Sequence, residues 1–330
     1  MIRLGWKEAS FYVVLLAVLI SVPVLFRNLY QLGVITFMLI NVLLAVSCWF
    51  IMTTGQVTLG HGGFAAIGGY LSAALIARYG MNSWLSLLIA TVAAGMIAFI
   101  IGYITLRIKG VYFIVATLAL GEVIRVVFGA WDHPFGGLVG IMNLPPPSAM
   151  ILPGFFKIEF ASKVSLYYLT LLFVLIGIVV MHKLDRSPIG LVFSGIRQAD
   201  DLAENVGINI MGYRVLAFVT GCMFAGVAGV LYTYNVGSIQ PSSFTVIQSA
   251  YYLVYVAVGG GVNAFGPILG ALALNILSEF LRPIKEFEPI VFALILIGAV
   301  LLLKGGLIGL LEKSWRRIGE WKARTSPKTI

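Results

Sequence analysis

The sequence predicts an all-α, polytopic integral membrane protein of about ten transmembrane or re-entrant helices, with N- and C-termini cytoplasmic. Three observations carry that reading. Hydrophobic residues make up 60% of the 330-residue chain and charged residues only 11%, whereas soluble domains carry about a quarter Asp, Glu, Lys and Arg; a surface that apolar requires lipid as its solvent. The apolar residues gather into runs of bilayer-crossing length, about 20 residues each. The basic residues behind the net charge of +9 sit at the ends of those runs, with no interleaved aromatic stripe, so they report topology and not nucleic acid binding.

Taken in order, helices are expected near residues 11–27, 31–53, 64–79, 83–106, 112–131, 165–182, 212–234, 248–260, 265–281 and 289–304. The first run follows Arg3 and Lys7 as a signal peptide does, but no small-residue cleavage pattern follows it. Pro23, Arg27 and Asn28 lead straight into the next run, so it reads as a retained helix. The segments at 64–79 and 248–260 are short, with Gly60, Gly62 and Gly63 before one and Gly259, Gly260 and Gly261 after the other, as in broken or re-entrant helices. With the N-terminus inside, fifteen of the 22 Lys and Arg residues face the cytoplasm and six face outward (Arg27, Arg78, Lys157, Lys163, Arg282 and Lys285). Arg125 alone stays in a span.

Residues 1–311 therefore read as one transmembrane domain, interrupted by an outer loop at about 132–164 and an inner loop at about 183–211. In the outer loop, Gly136, Gly137, Gly140 and the Pro145, Pro146, Pro147 run rule out a regular helix and favour an extended cap over the bundle; a docking face for a partner is the alternative. The tail, 312–330, spaces Trp315, Ile318 and Trp321 among basic residues and is expected to lie along the inner membrane surface as a lipid contact. An echo between GHGGFAAIGGYLSAAL and NAFGPILGALALNI needs no more than small-residue helix packing.

The inner loop, RSPIGLVFSGIRQADDLAENVGINIMGYR, contains a short helix with marked ends. Asp200 or Asp201 is expected to cap it, Glu204 to complete a capping box, and Gly207 to end it in the left-handed conformation. Leu202, Ala203 and Val206 form a small apolar face, with Asp201, Glu204 and Asn205 polar. Six residues do not make a stable helix alone, so a groove on another protein is expected. The alternative, a loop resting on lipid, conflicts with its acidic character at a negative surface.

Inside the membrane, Glu122 and Arg125 lie three apart and are expected to form a self-neutralising pair buried in the bundle; contact with a zwitterionic substrate is the alternative. His61, within the glycine cluster, reads as a hydrogen-bonding strut. Gln56, Thr58, Ser72, Gln248 and Ser249 are further polar candidates for a translocation pathway, though such residues also serve as glue between helices. Cys48 and Cys222 lie in apolar stretches and read as buried small hydrophobes. The histidines are not paired at ligand spacing, so no metal and no cofactor is expected. HExxH, GxSxG and membrane aspartate pairs are missing from the sequence, as is GxxxxGK[ST]. The chain therefore reads as neither an intramembrane enzyme nor a nucleotide-binding one.

Two sets of residues carry a family resemblance. Asp201, Leu202, Ala203 and Gly207 resemble the EAA-x3-G motif of ABC importer permeases, with Asp for Glu and Leu for Ala. TGQVTLGHGGFAAIGGYLSAAL at 54–75, ATLALGEVIRVV at 116–127, FGGLVGIMNLPPP at 135–147, AENVGINIMGYRVLAFV at 203–219 and the 238–271 stretch resemble, in order, the branched-chain amino acid importer permeases of the LivM type. The resemblance implies a permease whose coupling residues are Asp201, Leu202, Ala203, Glu204, Val206 and Gly207. It also implies two ATPase subunits, a second, LivH-type permease and a periplasmic substrate-binding protein as partners. Relatives of the same pattern import urea, amides or aromatic acids. An ion-coupled transporter is a further alternative, one that lacks a clear carboxylate relay.

Overall fold

The structure is a computed structural model and describes residues 19–26, 28–152, 156–302 and 306–309. Residues 19–25 are helical, the described part of the first expected run. Helix α1 (Leu29–Met52) begins where the Asn28 side chain accepts a hydrogen bond from the Tyr30 amide at 3.0 Å, and every residue from Met38 to Ile51 is buried. A helix apolar on all sides belongs at the centre. Its long partner there is α8 (Ile210–Val236), capped by the Asn209 side chain on the Gly212 amide at 3.0 Å and closed by Gly237 in the left-handed region.

Between them α2 (His61–Tyr79) reaches the centre by being narrow. A Cβ added to Gly68 would lie 2.2 Å from the Gly226 carbonyl oxygen of α8, and one on Gly229 would lie 1.9 Å from the Ala65 carbonyl oxygen, so the two backbones touch. Helix α3 (Ser83–Thr105) repeats the device, burying Ala90, Ala94, Ala98 and Gly102 every fourth residue while Leu88, Val92, Met96 and Phe99 face outward. Helix α4 (Val111–Ala130) packs one side on α2, and α5 (Lys163–Asp185) packs on α1. Helix α9 (Val246–Gly259) pairs with α10 (Phe265–Leu281), which also touches α1 and α11 (Glu288–Leu302).

Among the described residues, five helices, α1, α3, α4, α5 and α8, are long and apolar enough to cross a membrane by length and composition. Helix α9, at 14 residues, extends about 21 Å, short of a bilayer core of about 30 Å. Where they fall within the described residues, the expected boundaries otherwise agree with the observed ones to within a few residues.

The loop after α4 is more ordered than expected. Strands β1 (Met150–Leu152) and β2 (Phe156–Ile158) form a small antiparallel hairpin. Ile141 and Ile239 exchange two backbone bonds of 2.9 Å, and the Leu144 amide donates to Gly237 while the Trp84 indole donates to Ser148. The Pro145–147 run is thus held at both ends against the mouth of the bundle. Cys48 and Cys222 are free and fully buried. The amphipathic tail at 312–330 lies outside the described residues.

Candidate functional site

At the opposite end of the bundle from the proline run, the chain leaves α5 and forms α6 (Pro188–Gln198), which the sequence reading missed. Its signal was present: Ser187 caps the Ile189 amide at 3.2 Å, proline follows at the first helical position, and Gly190, Phe193 and Ile196 form the buried face. After the extended residue Ala199 comes α7 (Asp200–Asn205).

The cap differs from expectation. Ala199 occupies the N-cap position and no side chain caps the helix, so neither Asp200 nor Asp201 caps it and no capping box forms with Glu204. Asp200 is committed elsewhere. Its Oδ2 accepts from Arg214 Nη2 at the start of α8, at 2.5 Å, and lies 3.4 Å from Lys109 Nζ in the α3–α4 connection. Lys109 Nζ also lies 3.8 Å from Asp201 Oδ1. Both acids remain in the first turn, where the helix's positive end favours them. The other end is as expected: Gly207 has φ +83°, and the Ile208 amide donates back to the Ala203 carbonyl at 3.1 Å.

The apolar face divides. Ala203 is 6% exposed and faces the bundle, whereas Leu202 and Val206 are 68% and 77% exposed. The stub is thus pinned by its root, through a side chain of Arg214 only 8% exposed, and presents two aliphatic side chains at its tip. The sequence carried a signal for this anchor: Lys109, Asp200 and Arg214 all fall on the same expected membrane face.

The glycine cluster before α2 is a web of buried polar bonds. Thr58 Oγ1 accepts from the Gly60 amide at 3.2 Å, Thr117 Oγ1 from the Leu59 amide at 3.2 Å, and Ser249 Oγ from the Gly62 amide at 3.0 Å. Ser47 Oγ donates to the Leu44 carbonyl at 3.0 Å and meets His61 Nε2 at 2.7 Å. With the Ser47 proton used, His61 Nε2 must be the donor, leaving Nδ1 a buried acceptor without a partner among the described residues. Gln56 is buried beside this web. Ser72 lies in a separate buried cluster, 3.1 Å from Ser86 Oγ and 3.4 Å from Tyr234 OH.

Gln248 instead borders a cavity of about 190 Å³ between α1, α2, α8 and α9. Asn41, Tyr232, Ser243 and Tyr252 are among its polar lining residues, and Phe37, Ile40, Leu44 and Phe244 among its apolar ones.

Glu122 and Arg125 pair as expected, Arg125 Nε donating to Glu122 Oε1 at 2.9 Å and Nη2 donating to the same oxygen. Their position corrects the expectation. The side chains are 39% and 29% exposed, on the open side of α4 and not buried in the bundle. The rotation of α4 is set by glycine packing: a Cβ on Gly121 would come within 3.1 Å of Gly60 Cα, so residue 121 faces α2 and Glu122 turns away.

A protein-family model described as "Branched-chain amino acid transport system / permease component" matches residues 30–304. The chain is 29% identical over 331 residues to the "High-affinity branched-chain amino acid transport system permease protein LivM" of Escherichia coli (strain K12), covering 95% of this chain and 75% of that protein. The Salmonella typhimurium protein of the same name is 28% identical over the same share of each chain. A "Probable branched-chain amino acid transport permease protein LivH" of Methanocaldococcus jannaschii is 24% identical over 282 residues, 81% of this chain and 87% of that one. No solved structure matches.

Proposed function

The chain belongs to the family of permease components of branched-chain amino acid transport systems, and from that premise we propose that it is the LivM-type subunit of an ATP-driven importer. Residues 1–311 form its transmembrane domain in a bacterial or archaeal plasma membrane, with both termini and α7 on the cytoplasmic side. Substrate, a branched-chain or related amino acid, arrives on a periplasmic binding protein and passes between this chain and a second, LivH-type permease. The likeness to both LivM and LivH proteins supports a pair of related chains.

The chain carries no phosphate-binding loop of its own, so in this reading two ATPase subunits supply the work. The observation that carries the proposal is the form of α7: a stub tied at its root to α8 through Asp200 and Arg214, with Leu202 and Val206 left exposed. Leu202 and Val206 enter a groove on the ATPase, Asp201 and Glu204 meet its rim, Ala203 seats the stub on the bundle, and Gly207 lets the chain turn back into α8. Since α8 packs against α1, α2 and α3, displacement of α7 on nucleotide binding reaches most of the bundle. The two conformations are then separated by their different affinity for the nucleotide-closed ATPase pair.

Behind that path, Gln248 contributes a polar edge to the cavity inside the bundle, Gln56, Thr58, His61 and Ser249 support the glycine-rich turn before α2, and Ser72 ties α2 to α3 and α8. Co-purification tests the coupling role. Leu202→Asp with Val206→Asp is expected to abolish retention of the ATPase subunits while the permease still inserts, and full retention together with normal amino acid uptake would contradict it.

A further inference from the structure

Two faces of this bundle look outward, and they differ in kind. On α3 the outward face is Leu88, Val92, Met96 and Phe99, bulky and without a charge, as suits lipid. On α4 the outward face runs through Tyr112, Val115, Ala119, Glu122, Val123 and Val126, an apolar strip interrupted near mid-helix by an ion pair. At 1.5 Å rise per residue, Glu122 lies about 2 Å and Arg125 about 7 Å from the midpoint of the 20-residue helix. Charged groups at that depth face a protein interior or water, not lipid.

We propose that the outward face of α4 lines the amino-acid path, and that the Glu122–Arg125 pair is its contact for the zwitterion. The inference rests on the importer reading for the second permease chain that closes the opposite wall. Arg125 Nε and Nη2 both converge on Glu122 Oε1, so Glu122 Oε2 and Arg125 Nη1 are uncommitted among the described residues. An α-ammonium approaching Oε2 and an α-carboxylate approaching Nη1 meet complementary charges without either protein group first being stranded. When the substrate leaves, the pair closes on itself, so the site is neutral whether empty or occupied. Transit requires a contact of that kind, favourable enough to enter and weak enough to leave. The glycine contact between Gly121 and Gly60 fixes the helix rotation that aims the pair outward.

The test uses the complex with its ATPase subunits in lipid vesicles. Ala119→Cys and Val126→Cys are compared with Phe99→Cys for reaction with a charged, membrane-impermeant thiol reagent; the native Cys48 and Cys222 are fully buried and give little background. Residues 119 and 126 are expected to react about tenfold or more faster than residue 99, and reaction as slow as at residue 99 overturns the proposal. In a second arm, Glu122→Gln is expected to lower L-leucine uptake about tenfold, the loss of one charge-assisted hydrogen bond, and the double variant Glu122→Leu with Arg125→Leu, which removes both contacts, at least that much, with ATPase retention unchanged. Wild-type uptake in the double variant would make the pair merely structural and overturn the zwitterion contact. Loss of ATPase binding by the unsubstituted chain sinks the importer reading instead, and the labelling pattern is read independently of it.

Discussion

Removing Asp200 is expected to loosen α7 far more than removing Arg214, although both substitutions delete the same ion pair. Asp200→Ala strands a guanidinium whose side chain is 8% exposed and whose Nε already lacks a partner. Breaking a buried pair in this way costs about 3–5 kcal/mol, reduced here to about 2–3 kcal/mol because Arg214 stands at the end of the bundle where water can reach in. Arg214→Ala leaves a carboxylate that is 20% exposed and still 3.4 Å from Lys109, so the loss is about 1 kcal/mol. Amide hydrogen exchange reads the difference locally, since Ala203 and Ile208 are held by backbone bonds of 3.1 Å within the stub. At about 1.4 kcal/mol per tenfold, those amides exchange about 30-fold faster or more in Asp200→Ala and about fivefold faster in Arg214→Ala. The double variant falls short of the sum because no charge remains stranded. Equal effects of the two single variants, or strict additivity, would refute the view that α7 is held by a buried cation in α8.

The close α2–α8 crossing predicts that Gly229→Val lowers the melting temperature of the purified permease sharply. Its Cβ would meet the Ala65 carbonyl oxygen at 1.9 Å, and overpacking costs about 1–3 kcal/mol or more when backbone must move. Gly195→Ala, with nothing within 4 Å of the new Cβ, is expected to be neutral or to stabilise α6 by up to about 1 kcal/mol in the same melt. Ser47→Ala leaves a second polar atom of the fully buried His61 without a partner, and is expected to cost about 1–3 kcal/mol by thermal unfolding.

The helices were legible because four of the five long apolar runs open on a residue with a local job: Asn28, Asn82, Ser162 and Asn209 all accept from amides in the first turn that follows, while α4 opens on Gly110. What depended on distant partners was not. Asp200 has the chemistry of a cap, but the long-range attraction of Arg214 wins over the local amides. The pairing of Glu122 with Arg125 could be read at a spacing of three, yet the side of α4 on which the pair lies is decided by Gly121 meeting Gly60 some sixty residues earlier. Helix α6 was hidden because its buried face needs only Gly190, Phe193 and Ile196, too few to stand out as periodic. The hairpin strands, three residues each, are shorter than any alternation pattern can reveal. His61, read as a strut, is found bonded to Ser47.

Site-specific photo-cross-linking from residues 202 and 206 in the assembled transporter addresses most directly what grips α7. Adducts with an ATPase subunit from both positions, with residue 203 giving adducts only within the permease, are the predicted result. Adducts to lipid or to the chain's own helices from residues 202 and 206, in a complex that still hydrolyses ATP and transports, would contradict it.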